Sequence, residues 1–166
     1  MRLGAQLIFN RFLYLMEFTP AQFLEKMRKY CAYQERSHQQ VRDRLYEAGL
    51  YQDNVEEIIS VLIVENYLNE ERFARSYARG KFRINGWGRV KIVQGLKQHR
   101  VHANGIKAAM TEIPDEDYFS ALRNILEQKA RNLKEKHPVR RKAALVRFAA
   151  QRGFETELIL DVLGES

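Results

Sequence analysis

Apolar residues along this chain fall into stretches of helical length, and the polar residues between them mark helix starts. Thr19-Pro20-Ala21-Gln22 reads as a capping box with proline at the first helical position. Ser37-His38-Gln39-Gln40 reads as a second box, and Asp53-Asn54-Val55-Glu56 as an N-cap followed by a first-turn acid. Gly49 sits between the second and third starts and fits a left-handed C-cap with Leu50 packing back. The pattern predicts helices over residues 20–35, 38–48 and 54–66 on short connections.

The pattern then recurs. Val41 to Ile59 resembles Ile92 to Met110, and again Leu145 to Leu163. Leu45, Leu96 and Ala149 correspond, as do Leu50, Val101 and Phe154, and Val55, Ile106 and Ile159. Gly49 and Gly153 share the capping position, where the middle copy has Arg100. A non-glycine residue there adopts the left-handed conformation at about 1 kcal/mol, unless the helix ends differently. The expectation is an all-α protein built as an elongated array of three tandem three-helix repeats, over residues 19–68, 69–113 and 114–166. Each repeat is too small to bury its apolar face well alone. One irregular helical domain is the competing expectation.

Composition agrees with helices: 166 residues carry only three prolines and nine glycines. The single cysteine, Cys31, excludes an intrachain disulfide and reads as a packed core thiol in a reduced cytoplasm. No stretch is apolar enough to span a membrane. Residues 1–18 are rich in apolar side chains, but Asn10 and Arg11 interrupt them and no secretory cleavage pattern follows. Met16 is a candidate natural start, which makes residues 1–15 an upstream extension.

Charge changes the picture more. The net charge is +7, yet residues 69–110 carry ten basic and two acidic side chains, and both flanks are close to neutral. From Arg72 to Thr111 no Asp or Glu occurs. A localised excess of this kind points to a polyanion or an acidic protein surface. On a helix, Arg72, Arg75, Arg79 and Arg83 form one stripe about 80° wide. Phe73, Tyr77, Gly80 and Ile84 form a separate apolar stripe expected to face the core. No acid between Arg75 and Arg83 lies three or four positions away to pair with the arginines, which suggests an external anion. A solvated helix face is the plainer expectation. Asn85-Gly86 and Gly88 end the helix, and Trp87 stands at the elbow as a packing residue or a stacking platform. Lys81, Arg89, Lys91 and Lys97 complete the candidate binding set.

No enzyme constellation, cofactor motif or metal-ligand spacing accompanies these residues. His38, His99, His102 and His137 lack carboxylate or cysteine partners at ligand spacing, and His99 and His102 straddle a predicted helix end. Pro114 to Tyr118 reads as a helix N-terminus whose acids suit the dipole. A non-catalytic binding protein is expected.

Two motifs carry a resemblance. Tyr30 to Leu50 is similar to the opening of the RecX family, bacterial regulators of the RecA recombinase, with Gln40 and Val41 where the family often has Glu-Leu. Asn69 to Val101 resembles that family's central motif through Arg72-Phe73-Ala74, Tyr77, Arg79 and Lys81. Asn69 or Glu70 replaces its usual aspartate, and Arg89 its usual proline. The resemblance runs from about residue 19 to the C-terminus. It implies a cytoplasmic, non-catalytic regulator that lies in the groove of the RecA–DNA filament. Strand exchange, ATP hydrolysis, filament growth and the SOS response are then inhibited. A monomer is expected, with possible contacts to phosphates of single- or double-stranded DNA. The alternative is a helix-turn-helix-like DNA-binding protein, although the basic residues suit backbone contact better than base edges.

Overall fold

The computed structural model describes residues 19–164. The expectations about a start at Met16 and an extension over residues 1–18 lie outside the described residues. The chain is all-helical there. Its elements are α1 (Pro20–Tyr33), α2 (His38–Glu47), α3 (Gln52–Val64), α4 (Glu70–Arg83), α5 (Arg89–Gln98), α6 (Ala103–Met110), α7 (Asp115–Asn132), α8 (Pro138–Gln151) and α9 (Thr156–Gly164). Two compact units result, Met1–Phe73 and Ala74–Ser166, and the division falls inside α4.

Both capping boxes form as the sequence predicts. The Thr19 backbone donates to Gln22 Oε1 at 2.7 Å, and the Ser37 and Gln40 pair bond reciprocally at 3.0 Å. The third start differs from expectation. Helix α3 begins at Gln52 after Tyr51, and Asp53 lies in its first turn with no side-chain cap bond. The helix dipole accounts for Asp53 as well as a cap would, so its residue type does not separate the two positions.

In the first unit, α1 and α2 both pack on α3. Phe23, Met27 and Cys31 from α1 meet Val41 and Leu45 from α2 and Val55, Ile58, Ile59 and Leu62 from α3. Burying each large aliphatic side chain contributes about 2 kcal/mol. Cys31 is one of these core groups. Burial pushes its thiol up to about 11, which leaves it inert at neutral pH.

Three helix ends show how far the repeat is written in backbone geometry. After α2, Gly49 donates to Tyr46 O and Leu50 to Leu45 O. After α5, Arg100 donates to Lys97 O and Val101 to Leu96 O. After α8, Gly153 donates to Ala150 O and Phe154 to Ala149 O. These are three copies of one Schellman turn, on the residues whose correspondence the sequence predicts. Gly49, Arg100 and Gly153 have φ of 90°, 56° and 91°. Arg100 therefore does take the left-handed conformation and keeps the turn without glycine. The next helices restart in register. Val55, Ile106 and Ile159 make the first helical bonds to Tyr51, His102 and Glu155. Val55 and Ile159 are buried, while Ile106 is half-buried.

In the second unit, α5 packs on α6, and α7, α8 and α9 pack on one another. Asp115, Glu116 and Asp117 occupy the first turn of α7, in agreement with the reading of Pro114 to Tyr118. Arg141 from α8 reaches back to close the other end of α7. It donates to Ala130 O at 2.6 Å and Leu133 O at 3.1 Å, satisfying terminal carbonyls that the helix cannot.

Candidate functional site

Helix α4 and the elbow after it carry most of the candidate residues. The buried face of α4 differs from expectation. Phe73, Ala74, Ala78 and Phe82 are buried, Tyr77 is half-buried, and Ile84 is 85% exposed. Two alanines sit on the inward face because their size admits close packing, a signal that large-residue periodicity misses. Tyr77 fills the space above Gly95, where a Cβ would lie 2.2 Å from its hydroxyl oxygen. Ile84 falls beyond the last helical residue and so leaves the stripe altogether.

The arginine stripe is also corrected. Acids from outside the acid-free run pair with it. Arg72 Nε donates to Glu35 at 2.6 Å, and its Nη1 to Asn66 Oδ1 at 3.0 Å. Arg75 donates to Glu112 at 3.0 Å and to Thr111 Oγ1 at 2.9 Å. Arg79 takes the other Glu112 oxygen at 3.0 Å. One carboxylate thus bridges two guanidiniums within the second unit. Arg72, Arg75 and Arg79 are held internally, and Arg83 alone of the four has no partner among the described residues.

Arg89 is likewise an internal residue. Its guanidinium lies 4.3 Å over the Tyr118 ring and donates to Ile113 O at 2.7 Å and to Asp115 at 2.5 Å. Its backbone N–H donates to Tyr118 Oη at 3.0 Å, while that hydroxyl donates to Glu155 at 2.5 Å. Tyr118 is fully buried, stacked on Phe154 at 5.0 Å and tilted against Phe82 at 5.9 Å. Burial first, and then the bond to Glu155, push the phenol well above its ordinary range.

The elbow is fixed by backbone rather than side chains. Gly88 N–H donates to Arg152 O at 2.8 Å and Val90 N–H to Gly153 O at 3.0 Å. The unpaired donors at the start of α5 thereby meet the unpaired acceptors at the end of α8. The approach demands two glycines. A Cβ on Gly88 would lie 2.1 Å from the Gly153 carbonyl oxygen, and one on Gly153 would lie 2.3 Å from Lys91 Cβ.

Trp87 is half-buried on this anchored turn. The Lys81 and Lys91 ammoniums lie 4.8 Å and 4.6 Å from its ring centroid. Neither lysine has a carboxylate partner among the described residues, and neither does Lys97. Arg152, which the sequence reading missed, joins them. A Cβ on Gly86 would lie 3.1 Å from its Nη1, and its guanidinium stacks on Phe148 at 4.9 Å. No signal in the sequence marks Arg152, because it stands in the charge-balanced third repeat and reaches the elbow only through the fold.

These features define a class: a tandem three-helix repeat protein with a cluster of uncommitted cations on its second repeat. Family models match two of the repeats, "RecX, second three-helix domain" over residues 69–110 and "RecX, third three-helix domain" over residues 115–163. The chain belongs to the RecX family. It is 34% identical over 111 residues to Regulatory protein RecX of Vibrio campbellii, covering 67% of this chain and 70% of the relative. It is 26% identical over 136 residues to that of Bacillus mycoides, covering 82% of this chain and 50% of the relative. The chain therefore spans about half the length of that Bacillus protein. The crystal structure of RecX from Lactobacillus salivarius matches with a TM-score of 0.79 at 20% identity, covering 88% of this chain and 95% of that chain. Among the described residues, no helix is long and apolar enough to cross a membrane.

Proposed function

We propose that this protein is a non-catalytic regulator of the RecA recombinase. It binds the RecA–DNA filament and restrains its ATPase, strand-exchange and SOS co-protease activities in the cytoplasm. Family membership supplies the partner. The observation that carries the reading to a surface is a set of cations with no carboxylate partner among the described residues: Lys81 and Lys91 against Trp87 at the elbow of the second repeat, Arg83 at the end of α4 and Lys97 in the last turn of α5. Arg72, Arg75, Arg79 and Arg89 serve as supports, since their charges are already engaged. The repeat boundaries at residues 19–68, 69–113 and 114–166, and action as a monomer, belong to the same proposal.

The test is RecA-catalysed ATP hydrolysis on single-stranded DNA at increasing protein concentration. Inhibition at micromolar protein or below is expected. An unchanged rate throughout that range rejects the reading.

A further inference from the structure

Helix α8 carries two apolar faces. Leu145 and Ala149 are buried in the third repeat. A second row, Val139, Ala143, Val146 and Ala150, stays outside. Val139 is 72% exposed, Ala143 and Ala150 are exposed, and Val146 is half-buried. At 100° per residue this row occupies about 60° of the helix surface. Its spacing of four, three and four residues is the heptad spacing of a helix–helix seam. Val139, Ala143 and Val146 line an open groove of about 580 Å³, with half-exposed Leu160 of α9 as its wall. Cations border the row on both sides, Lys142 on one and Arg140 and Arg147 on the other. In a coiled coil these bordering positions select the partner by charge. None of the three cations holds a carboxylate among the described residues, and Glu157 and Asp161 on α9 pair with none of them.

We infer that this outer face of α8 docks an amphipathic helix with acidic borders, supplied by a second protein partner distinct from the filament. The inference goes beyond the proposed function, since it concerns another repeat and another chemistry. The partner's apolar residues, at heptad spacing, fill the groove beside Val139, Val146 and Leu160. Ala143, small and placed between the two valines, lets its backbone come close. Its acids on one border meet Lys142, and those on the other meet Arg140 and Arg147. Three occupants fit less well. A nucleic-acid backbone would engage the cations and leave the apolar row in water. A second copy of α8 would set these cations against their own kind. A bilayer is broad, whereas this row lies in a groove beside Leu160.

The experiment titrates the full chain into fluorescent synthetic peptides of about three heptads and follows anisotropy. One peptide has leucine at the seam positions and glutamate at the borders. A second has lysine at the borders, and a third has the composition of the first in permuted order. Saturable micromolar binding of the glutamate peptide is expected, with no binding of the other two. Val139→Glu should weaken it at least about tenfold, while the melting temperature and the inhibition of the RecA ATPase stay unchanged. Lys142→Glu combined with Arg147→Glu should reverse the preference. The glutamate peptide weakens about tenfold and the lysine peptide now binds, a gain that misfolding cannot produce. No binding of the glutamate peptide overturns the inference, as does equal binding of the permuted one. Binding indifferent to both variants places the site elsewhere. A dimer in sedimentation equilibrium that Val139→Glu dissolves gives the face to a second copy. Loss of ATPase inhibition in Val139→Glu makes the face part of the filament contact and removes the second partner. Failure of the wild-type chain to inhibit RecA rejects the regulator and leaves the docking face standing.

Discussion

The arginine row of α4 and the elbow that follows it are neighbours in sequence and equally basic, yet their charges have opposite fates. Arg75 and Arg79 share Glu112, and Arg72 grips Glu35. Lys81 and Lys91 hold no carboxylate among the described residues and lean on Trp87 instead. The difference teaches that charge density along a chain does not measure charge available to a partner. Guanidinium forks bind planar carboxylates and are readily absorbed into the fold. Ammoniums on flexible stems remain at the surface, held loosely by aromatic faces.

The comparison breaks most severely at the frame of the elbow. Gly88→Ala forces a methyl against backbone that cannot yield cheaply, and a loss of about 3 kcal/mol is expected. Thermal denaturation should show it, and the same variant should lose inhibition of the RecA ATPase. Next is Tyr118→Phe, which strips the Arg89 N–H and the Glu155 carboxylate of their shared hydroxyl. A loss of about 2 kcal/mol in urea unfolding is expected.

A sharper cut comes from Glu112→Gln. It releases Arg75 and Arg79 at a stability cost below about 1 kcal/mol, since both pairs are partly exposed. If pairing is what silences the row, inhibition of the RecA ATPase should strengthen. Unchanged inhibition would mean that position, not pairing, separates the two regions.

The first repeat provides a pH version of the same logic. Hydrogen bonds from Arg28 and Arg42 hold the Glu65 and Glu56 carboxyls below their ordinary value of 4.5. A depressed folded pKa means that the stabilisation is complete above that value. It is lost as pH falls through the folded pKa. A modest fall in melting temperature below about pH 4.5 is expected, flattened in an Arg42→Met variant. The smallest effect belongs to Arg83→Ala. Without a partner among the described residues to lose, it should change stability by less than about 0.5 kcal/mol, while weakening inhibition of the RecA ATPase.

The sequence made much of the fold legible. The two capping boxes, the acidic start of α7 and the three Schellman turns all stand where residue types place them. Arg100 takes the left-handed conformation of the two glycines it corresponds to, one of the two outcomes its residue type left open. The site was legible only as a region. Trp87, Lys81 and Lys91 could be named, but Arg152 could not, and Ile84 was assigned to the wrong side of the helix end.

What the sequence determined by itself is whatever a few neighbouring residues decide. Caps, helix spans and turns depend on bonds that reach three to five positions along the chain, and segregation of charge needs only counting. The tertiary structure decided which charges are free. Glu35 lies 37 residues from Arg72, and Glu112 lies 37 from Arg75 and 33 from Arg79. An acid-free run of forty residues says nothing about acids beyond its ends. Coulombic pairing depends on distance in space, and only the packing of helices brings those carboxylates to the arginines while leaving the lysines of the elbow uncovered.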